Sequence, residues 1–370
     1  MNIRQHSSDP AIVPTAFETP GDVYNATPPR VIFGPGTVDR VADEVRRLGC
    51  TRALVVSTPG RGGLAEAVAG RLGPLCAGLL PEAVSQVPIE LARRGRARTR
   101  ELGADCLVSV GGGAAIGLGK GIALELALPI LAIPTTYSGS EMTGFCGITI
   151  DGVKRMHTSL NMLASTVIYD PELVATLPVD VGAASAMNAL AHCVDGIYAP
   201  TLSPLLMHAA AEGARTIVAG MRQVARAPDS LPARSQLLYG AHLGGGVLSG
   251  GFALQHGLAH TLGGSFGVGH GLSHALVLPH VTAYNARFAP SRIGLIGAAL
   301  GVPSLGAAIF DLLQEVGLPT TLREVGITAD HVDEIARITV ETDNGLNPAP
   351  VTLSAVADIT RAALDGRRPD

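Results

Sequence analysis

The 370-residue chain is short of cysteine, of charge and of long uninterrupted apolar runs, and each shortage narrows what it does. Its five cysteines (Cys50, Cys76, Cys106, Cys146 and Cys193) are scattered, odd in number and form no CxxC pair. Disulfide frames and zinc knuckles need paired thiols, so the pattern predicts reduced cysteines in a cytoplasmic protein. Charged residues make up only 16%, and 27 Lys and Arg against 31 Asp and Glu leave a sum of −4. With no basic stripe, that balance argues against a nucleic-acid partner. A pI near 6.3 gives no electrostatic footing on anionic membranes. No stretch reaches the length of a spanning helix without Gly, Pro or a charge, and the first residues carry no hydrophobic signal core. Internal repeats are also missing.

What is present is apolar surface to bury. Hydrophobic residues make up 47% of the chain, which at this length predicts more than one core. Residues 1–28, rich in Pro, Ser and Asp, read as a loose arm. Over 29–179, short β-branched runs alternate with amphipathic stretches. "RVIFG" (30–34), "ALVVS" (53–57), "DCLVSVGGG" (105–113) and "LPILAIPTT" (128–136) read as strands. The segments 37–49, 63–73 and 90–104 read as the helices between them. Strands that are apolar throughout and separated by helices predict a parallel sheet covered on both faces. Near residue 180 the texture changes to Ala, Leu, Gly and His with helical periodicity, so 180–370 is expected to be a helical domain. The fold class expected is therefore an α/β nucleotide-binding domain followed by an all-α domain.

"VSVGGGAAIGLGKGIAL" (108–124) is a strand, three glycines and a helix start. Gly111, Gly112 and Gly113 have no side chains, so backbone N–H groups there can approach an anion at the positive end of a helix. It is neither a P-loop nor a GxGxxG turn. A second loop, "IPTTYSGSE" (133–141), also ends a buried strand, with small hydroxyl residues. Two such loops at adjacent strand ends would flank one crevice of the kind that binds nucleotides.

Five of the eleven histidines fall in residues 253–280: His256, His260, His270, His274 and His280. His256 and His260 stand at i, i+4, as do Asn188 and His192 in "AMNALAHCVD", so each pair shares one helix face. A glycine-rich return loop separates His260 from His270. This paired spacing singles out His192, His256, His260 and His270 as a working set, whereas "HALVLPH" reads as a packed helix end that takes His274 and His280 into the core.

The ordered motifs "RVIFGPGTVDRVADEVRRLG", "VGGGAAIGLGKGIAL", "IPTTYSGSEMT", "MNALAHCVD" and "HTLGGSFGVGHG" resemble the iron-containing alcohol dehydrogenase family, and within it most resemble its maleylacetate-reducing branch. The match runs over roughly residues 28–365. It implies a reduced nicotinamide, NADH or NADPH, held by Gly111, Gly112, Gly113, Thr135, Thr136, Ser138 and Lys154. At Thr58, many relatives carry an aspartate that grips the ribose hydroxyl. Thr58 cannot repel a 2′-phosphate as a carboxylate would, so NADPH is expected beside NADH.

In metal-dependent members the ligands are an aspartate and three histidines, and by motif these positions fall on Asn188, His192, His256 and His270. At Asn188 the carboxylate has become a neutral amide, leaving the charge of Fe²⁺ uncompensated. The expectation is therefore catalysis with no metal, although three histidines alone can hold Zn²⁺. His256 and His260 are expected to deliver the proton, and His192, His270 and Asn188 to orient the substrate. The expected reaction is reduction of a small oxo acid, maleylacetate to 3-oxoadipate, by a homodimer. "QHGLAH" lacks the His, Lys and Cys of the branch's "HHKLCH", and "GFCGITIDGVKRMHTSLNML" (144–163) also departs from it. Two other readings are a metal-dependent alcohol dehydrogenase and a lyase or cyclase that uses NAD transiently.

Overall fold

A computed structural model describes residues 29–199 and 202–370. The arm expected over 1–28 lies outside the described residues. Among those described, the chain forms two compact units. One ends at Gly182 and takes in Ala227–Gly245; the other comprises Ala183–Arg226 and Gly246–Asp370. Where the sequence suggests one break near residue 180, a later segment thus returns to the first unit.

The first unit is built on a six-stranded sheet of β1 (Arg30–Phe33), β2 (Ala53–Val56), β3 (Cys76–Leu80), β4 (Cys106–Gly111), β5 (Ile130–Pro134) and β8 (Thr166–Tyr169). The order is β1-β8-β5-β4-β2-β3, and every pairing is parallel. The inner strands β2, β4, β5 and β8 are buried at every residue, whereas β1 is partly exposed at the edge. That is why the inner strands read as continuous apolar runs. Helices α1 (Val41–Arg47) and α2 (Gly62–Leu72) cover one face, with Val41, Val45, Val68 and Leu72 packed on Val55, Val108 and Ile133. The other face carries α4 (Gly113–Leu126), so close to β4 that a Cβ on Gly119 would lie 2.1 Å from Ser109 Oγ. Alongside it runs α3 (Ile89–Glu101), where a Cβ on Gly95 would collide with Ile122.

Two strands, β6 (Phe145–Ile150) and β7 (Val153–Thr158), form an antiparallel hairpin in full register. Helix α5 (Val179–Gly196) leads out of the sheet unit, and α6 (Pro204–Arg226) follows it in the second. Helix α7 (Leu231–Leu248) explains the return of 227–245. The buried Arg234 guanidinium donates to the carbonyls of Val174 and Leu177, and Tyr239 and His242 meet Phe33 and Tyr169 edge-on.

The second unit continues with α8 (Leu254–Ser265), α9 (His270–Ala286), α10 (Pro290–Leu300), α11 (Leu305–Glu315), α12 (Val332–Glu341) and α13 (Leu353–Leu364). Its core joins Leu254, Leu258 and Leu262 of α8 to Leu276 and Val281 of α9, Ile335 of α12 and Val356 and Ile359 of α13. Because Leu254, Leu258 and Leu262 follow the four-residue spacing, α8 turns His256 and His260 to its other face. No single described helix is long and apolar enough to cross a membrane, although α10 and α11 pass that test together as a bent pair.

Candidate active site

In the sheet unit, three loops lie side by side at the carboxyl ends of neighbouring strands. They carry Thr58 after β2, Gly111–Gly113 after β4, and Thr135–Ser138 after β5. From β2 the chain moves outward to β3, then returns to β4 on the other side and continues to β5. The β2/β4 crevice is therefore where the winding reverses, the usual ligand position in open α/β sheets.

Side chains are disfavoured here at positions 111 and 112. Gly111 has φ +145°, and a Cβ would sit 2.9 Å from that of Ala115. On Gly112 a Cβ would meet Thr136 Cγ2 at 3.0 Å and Oγ1 at 3.2 Å, and on Gly113 it would reach the Ser138 Cβ at 3.6 Å. The two predicted loops thus face each other across side-chain-free backbone at the N-terminus of α4. A dinucleotide pyrophosphate fits such a cradle, where amides and the helix dipole favour negative charge.

Two features of this unit lie outside the predicted set. Lys120, fully buried on α4, donates to Ser140 O, to Thr143 Oγ1 (2.9 Å) and to Phe145 O (3.0 Å). It ties the glycine-loop helix to the segment that follows Ser138, and burial pulls its ammonium down to about 8. Tyr169 donates to the buried Glu141 at 2.7 Å, and burial raises that carboxyl above its ordinary range. Lys154, on β7, is laid across the backbone of Gly147, and burial lowers its pKa.

In the helical unit, His192, His256, His260 and His270 come together as predicted. His192 stacks on His256 with ring centroids 5.3 Å apart. His256 meets His260 edge-on at 5.9 Å, and His260 stacks on His270 at 6.0 Å. Close approach of α9 to α5 helps assemble them: a Cβ on Gly271 would strike the Ala184 carbonyl oxygen at 2.7 Å.

His274, expected only to pack, is indeed fully buried, yet it sits in the middle of this group. Its ring lies 4.6 Å from His256, 4.8 Å from His270, 6.1 Å from His260 and 6.5 Å from His192. His280 lies apart, edge-on to Phe310 at 6.2 Å. Burial, with the neighbouring imidazoles adding to it, holds His192 and His274 well below the ordinary histidine range, so both rings are kept neutral.

The residue that sequence reasoning missed is Asp195, one helical turn after His192 on α5. Fully buried, its Oδ2 lies 2.7 Å from His256 Nδ1 and accepts the backbone N–H of Ala253 at 2.7 Å. The Tyr198 hydroxyl donates to Oδ1, and Asn285 donates in turn to Tyr198 at 3.0 Å. With a carboxylate accepting, the proton of the neutral His256 ring stands on Nδ1 and Nε2 carries the lone pair. That Nε2 is buried with no hydrogen-bond partner among the described residues.

Whether these residues suit iron is decided by their donor chemistry. Asn188, His192, His256 and His270 offer one amide and three imidazoles, and no anionic oxygen. The nearby carboxylate, Asp195, already has both oxygens engaged. Imidazole suits ferrous iron, but this all-neutral set leaves the ion's double charge uncompensated. The residues present do not fit the iron centre of the family's metal-dependent members.

Comparison with known proteins agrees with this architecture. Residues 28–171 match the family model for iron-containing alcohol dehydrogenase, and residues 182–364 match that for the Fe-containing alcohol dehydrogenase family, C-terminal. The chain is 44% identical to a maleylacetate reductase of Burkholderia cepacia, covering 94% of this chain and 99% of that one. The solved maleylacetate reductase of Agrobacterium tumefaciens superposes with a TM-score of 0.90 at 41% identity, covering 94% of this chain and 99% of that one. That of Rhizobium sp. strain MTP-10005 gives 0.90 at 39% identity, covering 95% and 100%. The chain belongs to the iron-containing alcohol dehydrogenase family, as an oxidoreductase among its maleylacetate reductase-like members.

Proposed function

We propose that the protein reduces maleylacetate to 3-oxoadipate with NADH or NADPH and without a bound metal, as a cytoplasmic homodimer. The observation that carries this reading is a cluster of imidazoles in which His256 is oriented by a buried carboxylate while position 188 has lost one. The identity with maleylacetate reductases supports the choice of substrate.

When bound, the reduced nicotinamide supplies a hydride to the alkene carbon β to the substrate's ketone. Gly111, Gly112 and Gly113 with Thr135, Thr136 and Ser138 hold the cofactor's phosphates and orient it, while Thr58 and Lys154 contact the remainder. Electron density then moves onto the ketone oxygen as an enolate, and the adjacent carbon must gain a proton. Protonated, His256 donates from Nε2, and Asp195 keeps that nitrogen turned away from its own hydrogen bond. His260 relays the replacement proton from the more exposed side of the cluster. His192, held neutral by burial, orients the substrate with Asn188 and His270. One hydride and one proton are consumed, and the C=C bond becomes C–C.

The test is NAD(P)H oxidation by purified protein with maleylacetate, with and without a strong chelator, with 3-oxoadipate identified as product. Activity that vanishes on chelation and returns with iron would overturn the metal-free reading. Turnover of substrate with no net nicotinamide oxidation would overturn the reductase.

A further inference from the structure

We infer that His260, His270 and His274 form a site for a divalent cation of borderline softness, zinc being the fitting class, displaced from the inherited ligand positions. The ligating nitrogens of these three rings all lie within 4.8 Å of one another. Zn–N bonds of about 2.0–2.1 Å in tetrahedral geometry put ligand nitrogens about 3.4 Å apart, so small ring rotations close the set.

His274 is the independent sign that something is to be bound. It is buried completely, and neither ring nitrogen has a hydrogen-bond partner among the described residues. A buried polar group without a partner is destabilising, and a bound cation would remove that cost. His270 and His274 stand one turn apart on α9, so they share a face, and His260 approaches from α8, the helix packed against it. Burial falls from His274 through His260 to His270, which is exposed. That gradient leaves the fourth position of a tetrahedral ion to water, the arrangement of an open zinc site.

The inherited set and this one share only His270. His256 stays with Asp195 and takes no part. A cation at the new site occupies His260 and His270, so on the proposed reductase reading zinc is an inhibitor and not a cofactor.

The experiment titrates metal-stripped, full-length protein with Co²⁺, followed by its visible absorption, and then displaces it with Zn²⁺. Wild type, His274→Asn and His192→Asn are compared. The expected result is tetrahedral Co²⁺ bands in wild type and His192→Asn, with affinity weakened at least about tenfold in His274→Asn. In case His274→Asn fails to fold, anomalous scattering from a zinc-soaked wild-type crystal places the ion directly. Scattering between His260, His270 and His274 supports the assignment. An ion at Asn188, His192 and His256, affinity lost in His192→Asn but kept in His274→Asn, or no uptake at all overturns it. Activity restored by iron after chelation would sink the metal-free reading but would leave the ion's position to decide this one.

Discussion

His256 Nδ1 lies 2.7 Å from Asp195 Oδ2, and the two residues come from different helices 61 positions apart in sequence. The carboxylate is itself held by the Ala253 amide and the Tyr198 hydroxyl, so the imidazole has one preferred orientation. Asp195→Asn keeps the shape but can turn an NH₂ toward Nδ1, inverting the tautomer. We expect kcat to fall by about 10²–10⁴-fold, with KM for NADH little changed. A kcat within about threefold of wild type would remove Asp195 from the reaction.

Restoring a carboxylate at position 188 should restore a metal site. Asn188→Asp provides the anionic oxygen that the three imidazoles lack, and Fe²⁺ content should rise to about one ion per chain. Elemental analysis of wild type and variant after anaerobic dialysis against Fe²⁺ decides it. An unchanged metal content in a folded variant would show that the amide is not what keeps metal out.

The glycine cradle makes a prediction about the cofactor alone. Gly112→Ala sets a methyl 3.0 Å from Thr136 Cγ2, forcing apart the two loops proposed to hold the dinucleotide. KM for NADH should rise about tenfold, equivalent to about 1.4 kcal/mol, while affinity for the oxo acid stays within a few-fold. Equal loss of both would argue for general unfolding instead.

Stability should fall in mild acid. Burial brings His280 to about 4 from the ordinary 6.5, so between these values the unfolded chain binds more protons than the folded one. Its contribution is complete above pH 6.5 and is lost as the pH falls toward 4, by about 3 kcal/mol over the full interval. His192, His242 and His274, lowered the same way, steepen the loss. Urea unfolding at about pH 7 and pH 4.5 should show a smaller difference for His280→Gln than for wild type. An equal difference would contradict this origin.

Much of the sheet was legible because its inner strands are buried on both faces and so spell continuous apolar runs. β3 and β8 do not read as strands. β3, "CAGLL", sits half-buried at the edge, and "TVIY" has only four residues before the Asp170 turn. Residue spacing assembled most of the histidine cluster, since i, i+4 pairs carry their own geometry. His270 and His274 have that same spacing, so the signal for His274 was present but was outweighed by its apolar neighbours. Asp195 had a weaker trace, three residues after His192. Its partner on α8 is fixed only by tertiary packing, which no local pattern records.

The return of Ala227–Gly245 to the sheet unit has a consequence for how the chain is made. Arg234 supplies the donors for the Val174 and Leu177 carbonyls, so a fragment ending near residue 180 leaves those acceptors and the Phe33–Tyr169 surface uncovered. During synthesis the sheet unit therefore stays incomplete until residue 245 has emerged, after the whole of Ala183–Arg226. Neither half is a module that a single cut in the gene can release.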